Sequence, residues 1–92
     1  MGDYMQKEYE FNNCTIELTP NRDRTQWLLC FNGFLSYYYF AKQLNISNKE
    51  VEKILEECKV FTINGNYYVD NPENVEHLIV LLKLIAGVLI CS

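Results

Sequence analysis

At 92 residues, 49% apolar and 22% charged, the chain has the length and composition of one domain with one core, and it is too apolar for a disordered segment. Eight Lys plus Arg against twelve Asp plus Glu leave a formal charge of −4, opposite in sign to a domain whose main task is gripping phosphate. Two prolines and four glycines exclude collagen-like and low-complexity character.

The first ten residues contain Asp3, Glu8 and Glu10 and no apolar run of signal-peptide length, so no export is expected and the location expected is the cytoplasm. Met1-Gly2 lacks the Ser or Thr that myristoylation wants, because Gln6 stands there. Without export, the sequons at Asn13 and Asn45 are chance matches.

Residues 14–19 alternate apolar and polar, the period of a half-buried strand, and Tyr9 and Phe11 extend it through an irregularity at Asn12-Asn13. Residues 20–24 form a turn by composition. Residues 25–31 form a second strand, apolar enough to be covered on both faces, and the two pair as an antiparallel hairpin that Asn32-Gly33 terminates. Residues 34–45 are read as a helix, which Ala41-Lys42-Gln43-Leu44 favours; a type I′ hairpin running from Leu28 to Tyr39 about Asn32-Gly33 is the alternative.

Ser47-Asn48-Lys49-Glu50 has the form of a capping box, and Val51, Ile54, Leu55 and Cys58 then recur at the spacing of one helical face. Residues 60–69 predict a tight hairpin around Asn64-Gly65, which tolerates the positive φ of a type I′ turn. Asn71 or Asp70 caps the last helix, Pro72 fits its first position, and the apolar pattern predicts that it runs from Glu73 to Ile90. Its most membrane-like part, residues 78–91, is interrupted by Lys83 and falls short of the roughly 20 residues a spanning helix needs. The expected fold class is α+β: an N-terminal antiparallel hairpin, a helix-turn-helix, a wing-like hairpin and a long apolar C-terminal helix, in one domain over residues 1–92.

The run Ala41 to Ser47, followed by Val51 and Ile54-Leu55, resembles a helix-turn-helix, and the Asn64-Gly65 hairpin stands where a wing would be. Residues 35–69 together look like a winged helix-turn-helix unit. The resemblance implies a second helix that reads a DNA groove, yet that helix carries Glu50, Glu52, Glu56 and Glu57 against Lys49, Lys53 and Lys59, and the wing has no Lys or Arg. A groove reader needs donors toward bases and cations toward phosphates. The charge therefore favours protein contact on the same scaffold, with a winged-helix DNA-binding regulator as the competing class.

Two further surfaces are expected to bind. In the last helix Val75, Leu78, Ile79, Leu82, Ile85, Ala86 and Leu89 can close the core, which leaves a second stripe of His77, Leu81, Leu84 and Val88 with Val80 beside it. Leaving such a stripe wet forgoes about 1.5–3 kcal/mol per large side chain, so either the N-terminal sheet covers it or a second copy or a partner's groove does. The tyrosines at 37–39 offer at least one outward ring, Tyr37 and Tyr38 being the chosen candidates, and alternation places one of Tyr67 and Tyr68 outside, taken as Tyr68. Arg22 and Arg24 make the one compact basic spot and could meet carboxylates or phosphate.

Catalysis, cofactors and metals are not expected. His77 is the single histidine, no phosphate-cradling glycine loop or catalytic motif occurs, and Cys14, Cys30, Cys58 and Cys91 lack zinc-site spacing and are expected to be buried, reduced thiols. An acidic, tyrosine-rich chain of this size is similar in general character to the small inhibitors that phages encode against host defences, anti-CRISPR proteins among them. That likeness implies a nucleic-acid-binding protein or complex as partner, met by Glu50, Glu52, Glu56 and Glu57. A structural or assembly subunit is the third class.

Overall fold

The computed structural model describes residues 6–87. It is an α+β fold in which one five-stranded antiparallel sheet, ordered β1-β2-β3-β5-β4, carries three helices. The strands are β1 (Lys7–Phe11), β2 (Cys14–Pro20), β3 (Trp27–Phe31), β4 (Phe61–Ile63) and β5 (Asn66–Val69), and the helices are α1 (Tyr38–Leu44), α2 (Asn48–Glu57) and α3 (Glu73–Leu82).

The N-terminal part is a three-stranded meander, not a hairpin with an irregularity. Asn12 and Asn13 have φ of 49° and 64° and make a two-residue turn that pairs Phe11 with Cys14 and Tyr9 with Ile16. Two positive φ angles in succession are the type I′ geometry that suits a hairpin's twist, and Asn is among the few side chains that adopt it. The β2–β3 turn is organised by Asn21, whose Oδ1 accepts from the amides of Thr25 and Gln26 at 2.9 and 3.2 Å. The hairpin of β4 and β5 turns on Asn64 (φ 53°) and Gly65 (φ 84°), and β5 pairs with β3 through Trp27↔Val69 and Leu28↔Tyr68. Both hairpins therefore belong to one sheet.

Between β3 and α1 both sequence readings hold in part. Asn32 (φ 54°) and Gly33 (φ 85°) turn the chain, and Phe31 and Phe34 exchange backbone hydrogen bonds, but that single rung is all the hairpin there is. The helix follows at Tyr38. Asn32 also fastens the junction: its Oδ1 accepts from the Thr15 amide at 2.7 Å and its Nδ2 donates to Gln43.

Helix α1 ends at Asn45 in the left-handed conformation, with the Ile46 amide returning to the Ala41 carbonyl at 3.0 Å. Two residues later Ser47 Oγ accepts from the Glu50 amide at 3.1 Å and starts α2. Asn71 Oδ1 accepts from the Glu73 amide at 3.0 Å, and Pro72, expected as the first helical residue, stands instead at the N-cap just before α3, already in helical conformation.

Alternation sorts the sheet. Cys14, Ile16, Leu18, Trp27, Leu29, Phe31 and Val69 are buried against Phe40, Leu44, Val51, Ile54, Leu55, Val75, Leu78 and Leu82 of the helices. The opposite face, with Glu17, Thr19, Leu28, Cys30 and Tyr68, is half-buried to exposed. Phe31 sits at the centre, its ring 5.4 Å from Phe40, 5.9 Å from Tyr67 and 6.5 Å from Tyr37.

The C-terminal helix differs from expectation. Its regular part is ten residues long and passes at Lys83 into a π-helical turn, Lys83–Gly87. The buried series Val75, Leu78, Ile79, Leu82 keeps the predicted spacing, and Lys83, Leu84 and Ile85, which follow it, are all exposed. Nor is the described helix apolar throughout, since Glu73, Glu76 and His77 lie on its exposed side. Ile85, expected in the core stripe, is at the surface. The rest of the predicted helix, with Val88 and Leu89, lies outside the described residues.

Candidate functional site

A cleft of about 260 Å³ opens between α2 and the β4–β5 hairpin, lined by Glu52, Leu55, Glu56, Val60, Thr62 and Tyr67. Leu55 and Val60 supply apolar wall, while Glu52 and Glu56, one helical turn apart, supply carboxylates. Val60 is carried there by the left-handed Lys59 (φ 63°), which ends α2 and lets the Val60 amide bond the Leu55 carbonyl at 2.9 Å.

Behind the cleft the tyrosines meet. The Tyr37 hydroxyl donates to Oε2 of Glu52. Tyr37 is buried, 1% exposed, with its ring 5.7 Å from Tyr67 and 4.8 Å from Tyr38. Burial first, then the hydrogen bond and charge of Glu52, hold the Tyr37 phenol well above its ordinary pKa. Tyr67 is raised as well, by burial and then by Glu52 and Tyr38. Both phenols thus keep their protons at physiological pH, and one oxygen of Glu52 is already bonded by Tyr37.

The residues expected to bind a partner are not gathered on one surface. At about 100° per residue α2 places Glu52 and Glu56 on the flank toward the hairpin, and Glu50 and Glu57 on the far flank, with Lys49 and Lys53 between. The expected four-carboxylate face is therefore two pairs divided by cations. Tyr37, expected outside, is core, because it precedes the first residue of α1 and is packed by Phe31 and Tyr67. Tyr38 is exposed and also lines a broad groove of about 610 Å³ along the α1–α2 turn with Lys42, Asn45 and Asn48. Tyr68 is half-buried on the opposite face of the sheet, stacked on Phe61 at 6.1 Å and bordering a shallow groove with Thr19 and Leu28. Arg22 and Arg24 are exposed in the β2–β3 turn and line no wall of the cleft. Tyr67, which the sequence reading passed over for Tyr68, is the cleft's aromatic wall. Its face follows from the pairing of Val69 with Trp27, a long-range register that local pattern does not contain.

The expected second-copy surface is partly present. Val80 and Leu84 are 53% and 58% exposed, with His77 and Ile85 beside them at the surface. Leu81 is instead half-buried against the core. A second apolar patch was not foreseen in full: Phe34 stacks on Tyr39 at 5.2 Å, and Leu35 and Tyr38 are exposed with them at the start of α1.

Among the described residues the remaining reactive groups do not converge, and Cys91 lies outside those residues. Cys14 and Cys58 are buried and Cys30 half-buried, all free thiols whose pKa burial raises, while His77 is exposed on α3. Among the described residues no three metal-ligating side chains come together, and no helix is long and apolar enough to cross a membrane. Comparison of the chain with protein families, with curated proteins and with solved structures returns no match.

Proposed function

We propose that this protein is a non-enzymatic binding module that meets a cationic surface of another protein through the carboxylates of α2, in the manner of a small phage-encoded, anti-CRISPR-type inhibitor of a nucleic-acid-binding partner in the host cytoplasm. The observation that carries this reading is the place of Glu52 and Glu56, which line a cleft with the half-buried ring of Tyr67 where a duplex-binding helix would need cations. Opposite charge on a partner that normally holds nucleic acid would steer association and fix its register. The exposed patch of Val80, Leu84 and Ile85 supports a second copy of the chain on α3.

The test is capture from a lysate of the native host on immobilised protein, wild type against Glu56→Lys. A host protein held by the wild type and released by the variant is the expected result; equal recovery by both removes the α2 carboxylates from the mechanism.

The second reading, a winged-helix DNA-binding regulator, is favoured by the order α1, turn, α2, β4, β5 and by the pairing of the hairpin onto β3. Retention on duplex DNA at about 50 mM salt that is lost at about 200 mM supports that reading and contradicts the first.

A further inference from the structure

We infer that the cleft between α2 and the β4–β5 hairpin receives one arginine side chain of the partner, an assignment that rests on the protein-binding reading above. Carboxylates alone attract any cation. One aromatic wall makes the choice narrower: Tyr67 lines the cleft, backed at 5.7 Å by the buried ring of Tyr37, which does not itself line it. A guanidinium is planar, stacks on aromatic faces, is weakly hydrated, and offers paired donors to carboxylates, whereas an ammonium is a compact and strongly hydrated point charge.

Position and size agree with that choice. The Tyr37 hydroxyl occupies Oε2 of Glu52, so the carboxylate is held in place with Oε1 left as an acceptor. Glu56, one turn on, brings a second carboxylate to the same opening, with about 5–6 Å between the Cβ atoms of such a pair. Leu55 and Val60 offer apolar surface for the methylene stem. The volume, about 260 Å³, lies below the roughly 300–1,000 Å³ of drug-sized ligand sites and fits a single side chain. None of the six lining residues is a Lys or Arg, and Lys49 and Lys53 lie around the helix from Glu52.

The test uses capped tetra-arginine, tetra-lysine and tetra-citrulline peptides, titrated at about 50 mM salt into the full-length ¹⁵N-labelled protein while amide shifts are followed. Saturable shifts are expected at residues 52–62 and 67, tighter for arginine than for lysine and absent with citrulline. Glu56→Gln should weaken arginine binding by roughly tenfold, and Glu57→Gln on the far flank should leave it within about twofold. Unchanged dispersion elsewhere in the spectrum establishes that each variant is folded.

Equal affinity for the arginine and lysine peptides overturns the assignment. So do equal losses in the two variants, or shifts centred on Glu8, Glu10 and Glu17. If the arginine peptide fails to saturate the cleft while Glu56→Lys still releases the captured host protein, the guanidinium assignment falls and the protein-binding reading stands. Saturable arginine binding with equal capture by both proteins leaves the assignment and removes the reading beneath it.

Discussion

The Tyr37 hydroxyl donates to Glu52 Oε2 across fifteen residues, joining the residue that precedes α1 to the middle of α2. The contact does two things. It satisfies the one polar atom of a ring buried among Phe31, Phe40 and Tyr67, and it aims a carboxylate at the cleft. Glu52 is thus at once a structural partner and a candidate binding group.

Removing each side of that bond should therefore cost differently. Tyr37→Phe deletes the donor and its need together, with an expected loss of about 0.5–1.5 kcal/mol. Glu52→Ala leaves a buried phenol without its acceptor, with an expected loss of about 1–3 kcal/mol. Urea denaturation with an unchanged slope checks the order, which equal losses would contradict.

The pH dependence follows from the raised phenols. Below the unfolded tyrosine pKa, about 10, the phenols are protonated in both states and contribute no slope. Above it the unfolded chain releases protons that folded Tyr37 and Tyr67 retain, because their pKa is higher in the folded state, so stability falls as pH rises. Tyr37→Phe should flatten the fall above about pH 10. Thermal melts of the two proteins from pH 8 to 11 read the difference.

The α3 surface predicts an assembly state. Val80→Glu with Leu84→Glu changes two exposed side chains and should leave the melting temperature within a few degrees. Light scattering on a sizing column should then give a monomer where the wild type gives a dimer. Leu78→Ala, in the core, should instead cost about 2–5 kcal/mol without altering the mass of the folded fraction. A wild-type monomer removes the second copy from the account.

Lys59 holds φ 63° at the end of α2, where glycine carries no Cβ penalty. Lys59→Gly should raise stability by about 0.5–1 kcal/mol in urea titration. A loss would mean that the Lys59 side chain contributes more than its backbone strain costs.

These positions also mark how far the sequence was readable. Ser47, Asn64-Gly65 and Asn71 announced their caps and turn because each acts on its own neighbours, and the structure shows the hydrogen bonds of both caps and the positive φ of the turn, with Pro72 one residue short of its expected place in the helix. Asn12-Asn13 read as an irregularity because two asparagines are a weaker type I′ signal than Asn-Gly, so β1 was hidden as a separate strand. The order of Tyr37 and Tyr38, one buried and one 59% exposed, turns on where α1 begins, which a run of four aromatic residues does not announce. The division of the α2 glutamates was present in the helical spacing itself, with Lys49 and Lys53 between the pairs. Tyr67 was out of reach, since its role depends on which strand β5 joins.

The most direct measurement compares Glu56→Lys with Glu57→Lys against the captured host protein. Each change moves the formal charge from −4 by +2 to −2, so bulk electrostatics is matched and only the flank of α2 differs. The account predicts that Glu56→Lys raises the Kd by at least roughly tenfold while Glu57→Lys stays within about threefold. Equal losses, or a loss confined to Glu57→Lys, would contradict a binding site in the cleft.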